Sequence, residues 1–221
     1  FTLHVSSTAT DTDPDTGAKT TATSGPADLN VTVSAVADAP NLSVSAEQTS
    51  EDTSVALNIT TDADGSEVIS SVEIADIPSG AVLSAGSDSG LTVTLDGSTA
   101  TITGSNPDGS FTDADLTSLA DGGLSILPTE DSGVDFTLHV SSTATDTDPD
   151  TGAKTTTTSG PADLDVTVSA VADAPDLSVS AASGDEDTAI PLSIPTSLTD
   201  TDGSEVISSV EIADIPSDAT L

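Results

Sequence analysis

Carboxylates spaced two residues apart are the most chemically suggestive feature of this 221-residue chain. Asp11, Asp13 and Asp15 form one such row, and Asp146, Asp148 and Asp150 form another. In an extended segment residues i and i+2 project to the same side, so each row aims three charges into one small volume. That crowding is unfavourable unless a hard cation sits there, because like charges a few ångströms apart repel and each must give up water. Calcium takes about 6–8 oxygens at ~2.3–2.6 Å in flexible geometry, which acidic turns can supply. Magnesium demands stricter octahedra, and zinc or copper would seek His or Cys.

Two further groups have the same character. Asp62, Asp64 and Glu67 lie in Asp62-Ala63-Asp64-Gly65-Ser66-Glu67, and Asp200, Asp202 and Glu205 are their counterparts. Glycine supplies a tight bend that turns Asp64 and Glu67 back on one ion. The loop is not an EF-hand: glycine stands fourth instead of sixth and strands flank it, although Glu73 and Glu211 fall eleven residues after the first Asp. Glu51 with Asp52, and Glu186 with Asp187, make the third group. These pairs would reach the aspartates Asp38 and Asp173 if all lie at one pole of the fold. The plainer alternative is that such acids are solvated turn residues. An isolated Asp-x-Asp fits that alternative better. Three clusters per unit, on a chain with only Lys19 and Lys154 as basic side chains, fit metal better. Isolated acids such as Asp76, Asp88, Asp121 and Glu130 read as turn residues, as does Asn106-Pro107-Asp108-Gly109.

The clusters recur because the chain repeats itself. Phe1 to Ala46 returns as Phe136 to Ala181, with only Ala22→Thr, Asn30→Asp and Asn41→Asp changed. Asp64 to Pro78 then returns as Asp202 to Pro216, at an offset of 138 instead of 135. This pattern predicts one complete unit at 39–173, the end of an earlier copy at 1–38 and the start of a later one at 174–221. The chain lacks methionine and opens inside an apparent strand, so it reads as an internal piece of a longer protein. Repetition at this length suits reach or multivalent display and argues against one dedicated active site.

Charge narrows the partners. Thirty-eight acids against two lysines give a formal −36, and the 39–173 unit alone carries 23 acids and Lys154. Nucleic acid is excluded because phosphate binding needs clustered cations, and an anionic membrane is disfavoured for the same reason. So much like charge should swell the unit unless cations neutralise it. Low aromatic content and high charge also mark disorder, but alternating Val, Ile, Leu and Thr runs punctuated by turn residues oppose that reading. No cysteine is present to form a disulfide.

Those runs predict short strands. Leu42 to Val44, Val55 to Ile59, Val68 to Ile77, a hairpin of Leu91 to Leu95 with Ala100 to Thr103, Leu124 to Leu127, Phe136 to Thr143 and Leu164 to Val171 all qualify. Val72, Ile74 and Ile77 should face inward, while Val55, Leu57 and Ile59, then Phe136, Leu138 and Val140, and then Leu164, Val166 and Val168 should each share one face. Asp113 to Leu119 could form a helical turn capped by Thr112 or Asp113. Seven to nine such strands fit an all-β, antiparallel immunoglobulin- or cadherin-like sandwich in tandem repeat. The link Ala35-Val36-Ala37-Asp38-Ala39-Pro40 should be short and stiff, since proline fixes φ and restricts the residue before it.

Together these residues resemble the calcium-dependent immunoglobulin-like tandem repeats of RTX adhesins, bacterial surface proteins exported by type I secretion. The resemblance rests on Gly184 to Thr188, Leu198 to Glu205, Phe136 to Asp148 and the Val-x-Ala-Val-Ala-Asp-Ala-Pro linker, and covers essentially the whole chain. It implies an extracellular stalk segment that projects ligand-binding domains for adhesion and biofilm formation. It also implies several Ca²⁺ ions per repeat and a monomer whose partners are its own neighbouring repeats. The glycine-rich nonapeptides of RTX proteins are absent from these residues. The rival function is a binding module that uses calcium, or the Thr20 to Thr23 and Thr155 to Thr158 runs, to meet a carbohydrate or an ordered surface such as ice. An enzyme is the weakest reading: His4 and His139 are one position seen twice, no cysteine exists, and no Trp or Tyr could stack a sugar. The sequons at Asn30, Asn41 and Asn58 carry no repeated role, since two become Asp165 and Asp176.

Overall fold

The computed structural model describes residues 1–200 and 203–220. Strand takes up 40% of the chain and helix 4%, so the protein is all-β, an antiparallel immunoglobulin-like sandwich. The first copy forms two hairpin-like pairs. β1 (Thr2–Val5) pairs with β4 (Ala27–Asn30), and β2 (Thr8–Thr12) pairs with β3 (Lys19–Thr23).

The central body follows in chain order. Its strands are β5 (Asn41–Val44), β6 (Glu47–Ser50), β7 (Val55–Leu57), β8 (Ile59–Asp62), β9 (Val68–Ala75), β10 (Val82–Ala85), β11 (Thr92–Asp96) and β12 (Thr99–Thr103), then helix α1 (Asp113–Ala120), then β13 (Leu124–Leu127), β14 (Phe136–Thr147), β15 (Lys154–Thr158) and β16 (Ala162–Ser169). The short pair β17 (Asp176–Leu177) and β18 (Thr196–Ser197) completes the described elements. One layer is the sheet β11-β12-β9-β14-β16-β6, with β15 also on β14; the facing layer holds β10-β13-β7 and the pair β5-β8. Pairing is antiparallel throughout except where β6 runs parallel to β16.

Alternation explains the packing. Val72 and Ile74, Ala100 and Ile102, Leu138 and Val140, and Leu164, Val166 and Val168 face Leu57, Ile59, Leu83, Leu124 and Ile126 in one aliphatic core. Phe111 and Leu119 belong to the same core. The expected Val55 to Ile59 strand divides at Asn58: β7 joins β13 while β8 joins β5, so Leu57 and Ile59 enter the core from two different sheets. The β11–β12 hairpin turns at Asp96-Gly97-Ser98, where Gly97 has φ 63°.

Helix α1 is set by a buried carboxylate. Thr112 caps it and Asp115 completes the capping box. Asp115 Oδ2 accepts from the Thr112 and Ser105 amides and from Ser105 Oγ, each at 2.8 Å. Burial alone would raise this carboxyl, but those donors outweigh it and hold it below the usual carboxylate range. Gly90 and Gly104 make room: a Cβ on Gly104 would stand 2.5 Å from Phe111 Cα, and one on Gly90 2.1 Å from Asp115 Oδ1.

The two copies separate local pairing from burial. Registers repeat, as in His4↔Asp28 with His139↔Asp163 and Thr8↔Thr23 with Thr143↔Thr158. Yet Leu3, Val5 and Leu29 are 46%, 50% and 52% exposed, whereas Leu138, Val140 and Leu164 are fully buried. The pairing thus recurs in both copies, whereas burial comes with the neighbouring strands β9 and β6 and the facing layer of the complete unit.

Leu138→Ala should lower unfolding stability by about 2–5 kcal/mol in chemical denaturation, while Leu3→Ala, in the same local sequence, should change it by less than about 0.5 kcal/mol. Asp115→Ala should cost about 2–4 kcal/mol by stranding three donors. A carboxyl depressed in the fold stabilises above its unfolded pKa and loses that contribution as pH falls through the folded one. Acid unfolding monitored by circular dichroism should therefore be shallower in Asp115→Asn than in the parent.

Candidate metal centre

Among the described residues, the carboxylate trios that converge do so at the linkers. Asp38, Asp64 and Glu67 place one oxygen each within 4.8 Å of one another, and so do Asp52, Asp131 and Asp173. Two oxygens bound to one calcium are at most about 4.6–5.2 Å apart, so each trio fits within a single coordination shell. Asp38 and Asp173 are the equivalent linker residues of successive copies. The first trio ties a linker to the unit that follows it, and the second ties a linker to the unit that precedes it.

Backbone donors shape the first trio. Asp64-Gly65 makes the bend after β8, with Gly65 at φ 59° and the Glu67 amide donating to Asp64 O. Glu67 Oε1 accepts from the Asp38 amide at 2.5 Å, while Glu67 Oε2 is buried without a hydrogen-bond partner. An ionised oxygen in that position calls for a donor or a cation. Glu205, the counterpart of Glu67, repeats both features: Oε1 accepts from the Asp173 amide at 2.5 Å and Oε2 has no partner.

Loops from two parts of the sandwich build the second trio. The Glu51-Asp52 turn places Asp52 at φ 57°, and the loop between β13 and β14 places Asp131 at φ 55°. The Asp131 amide donates to Asp52 Oδ1 at 3.0 Å. Gly133 keeps that loop on the linker, since a Cβ there would stand 3.2 Å from the Ala170 Cβ. Glu51 is 5% exposed; its Oε1 accepts from the Val171 amide and its Oε2 is buried without a partner. Desolvation first, then the Asp52, Asp200, Glu130 and Asp173 charges, push the Asp131 carboxyl up.

The two rows spaced by two behave differently from the expectation. β14 ends at Thr147 and β2 at Thr12, so Asp148, Asp150, Asp13 and Asp15 lie in turns where the same-side rule does not hold. Asp148 Oδ1 accepts from the Asp150 and Thr151 amides, each at 2.9 Å, and Asp13 Oδ1 accepts from Asp15 and Thr16 in the same way. Hydrogen bonds from Thr151 and Asp150, and from Thr16 and Asp15, lower these two carboxyls. Asp146 takes the Val36 amide and Ser66 Oγ, both at 3.2 Å. Asp11 is exposed on β2 opposite Thr20.

Of the remaining candidates, Asp62 is exposed at the end of β8, opposite Asn41. Asp200 is buried and accepts from Ser204 Oγ at 2.9 Å. Asp187 shares the left-handed backbone of Asp52 at φ 61°, beside an exposed Glu186. Asp202 lies outside the described residues. Asp131 had not been singled out in the sequence: it has no second copy in the chain and no partner two residues away.

A raised pKa means that the fold disfavours ionised Asp131 at neutral pH, a penalty relieved as pH falls through that pKa. Asp131→Asn should therefore raise the melting temperature in chelator and shrink the gain that millimolar calcium produces. Equal melting of variant and parent under both conditions would contradict the convergence described for this trio.

No family model matches the chain, and no curated protein matches it. Among solved structures, the solution structure of CaCohA2 from Clostridium acetobutylicum is similar over 60% of this chain and 92% of that chain, with 14% identity and a TM-score of 0.36. At that score the likeness adds nothing to what the strands themselves establish about the fold.

Proposed function

We propose that this chain is a stalk segment of a large bacterial surface adhesin, in which tandem immunoglobulin-like repeats are stiffened by calcium at their joints and hold ligand-binding domains away from the cell. The supporting observation is the place of the acids. Each linker aspartate sits in a trio of carboxylates whose other members come from the complete unit, Asp38 at its start and Asp173 at its end. Among the described residues the lysine of the complete unit, Lys154, is engaged elsewhere, 3.5 Å from Asp108. Asp38, Asp64 and Glu67, and Asp52, Asp131 and Asp173, are the residues that would hold the ions. Calcium would supply charge neutralisation and a rigid link between covalently joined repeats.

This reading also orders export and use. An RTX-type adhesin leaves the cell by type I secretion, and low cytosolic calcium would leave the acidic joints repelling one another. Millimolar calcium outside would close them. A binding-module reading has less support, because the Thr-rich strand β15 uses two hydroxyls internally: Thr157 Oγ1 donates to Ala37 O at 2.7 Å, and Thr158 Oγ1 pairs with Thr143 Oγ1 at 2.9 Å.

Thermal melting of the full chain in calcium, in magnesium and in chelator tests the proposal. A ligand held at a hundredfold over its Kd stabilises by about 2.7 kcal/mol per site, so calcium should raise the melting temperature by many degrees and magnesium by much less. Coincident melts in all three solutions would refute it.

A further inference from the structure

The β14–β15 hairpin has a second role that the acids do not explain. It reaches back over the linker that precedes its own repeat. Thr157 Oγ1 donates to Ala37 O at 2.7 Å, and the Val36 amide donates to Asp146 Oδ2 at 3.2 Å. Ser66 Oγ, from the Asp64 bend, donates to Asp146 Oδ1 at 3.2 Å and fixes that carboxylate. The Ala35 amide adds a further donor to Asp148 in the turn between the strands. Three successive linker residues are thus held by one hairpin. Thr157 is partly buried there, while Thr155, Thr156 and Thr158 are exposed.

The sequence marks the same position. Only three of 46 residues differ between the copies, and one of them places Ala22 where the second copy has Thr157. The other two changes are conservative in structure. Thr2 Oγ1 donates to Asn30 Oδ1 at 2.8 Å just as Thr137 Oγ1 donates to Asp165 Oδ1 at 2.7 Å, and Asn41 and Asp176 both open short antiparallel strands. The alanine alone removes a hydrogen bond to a linker.

We propose that the β14–β15 hairpin is a docking surface for the preceding linker, and that the residue at position 157 of each repeat grades the joint: threonine latches the linker backbone and alanine leaves it unlatched. The latch is made of ordinary hydrogen bonds and so acts independently of any cation. Joints along one array then differ in stiffness although their acidic residues are the same.

Amide hydrogen exchange on the full chain tests this, because the chain holds its own control. Residues 35–38 face the latch, whereas residues 170–173 meet no such hairpin among the described residues. Thr157→Ala should speed exchange at 35–38 roughly fivefold, the effect of losing one hydrogen bond, and leave 170–173 unchanged. Thr157→Ser, which keeps the hydroxyl, should restore the parent rate. Exchange at the buried β9 amides, read in the same spectra, confirms that each variant is folded, and alanine is already native at the equivalent position. Unchanged rates at 35–38 in Thr157→Ala, or equal acceleration in both linkers, would overturn the proposal. Repeating the comparison in chelator separates this latch from the calcium reading: loss of calcium dependence elsewhere would leave the Thr157 effect standing.

Discussion

Like-charge crowding at the linkers is the constraint on which the rest of the molecule turns. A sandwich of this size can tolerate many exposed acids, because water screens them. It cannot as readily bring three carboxylates within 4.8 Å of one another beside a covalent joint, with buried oxygens on Glu51, Glu67 and Glu205 that meet no donor. The amides of the linker itself satisfy part of that field: Val36, Asp38, Val171 and Asp173 each donate to a carboxylate from a flanking repeat. What the amides leave uncompensated is the charge that a divalent cation would meet.

The body of the repeat serves to hold those acids still. Apart from Phe111 its core is aliphatic, and its buried side chains run from Leu57 to Val168. The loop that carries Asp52 leads into β7 and the loop that carries Asp131 leaves β13, both strands with residues in this core, and both aspartates adopt left-handed backbone that Asp tolerates better than most residues. Calcium at the joints, and the Thr157 latch beside them, would act on a scaffold whose own stability comes from hydrocarbon burial and from the Asp115 capping network. The crowded linker charge and the buried hydrocarbon reside in different residues.

Much of this was legible in the chain, for identifiable reasons. Alternation exposed the core faces of β9, β14 and β16 because period two is unambiguous when one face is Val, Ile or Leu. Asp96-Gly97-Ser98 announced a hairpin, and Thr112 announced a helix start. The parallel strand β6 was not legible, since Glu47-Gln48-Thr49-Ser50 shows no apolar alternation. The rows at Asp11 and Asp146 follow the extended-chain rule only as far as Thr12 and Thr147; beyond them the backbone turns and Asp13 and Asp148 accept from local amides. Asp131 was invisible because its group forms only through tertiary contact. The Ala22 to Thr157 difference carries no meaning in the sequence alone, because the Ala37 carbonyl that meets the hydroxyl is 120 residues away.

Small-angle scattering of the full chain in calcium and in chelator tests the central claim most directly. If cations close the acidic joints, calcium should give an extended particle with a sharply defined maximum dimension, and chelator should give a broader distance distribution typical of repeats moving independently. Superimposable profiles in the two solutions would contradict the account, because crowded linker carboxylates that do not respond to a divalent cation cannot be what holds the joints straight.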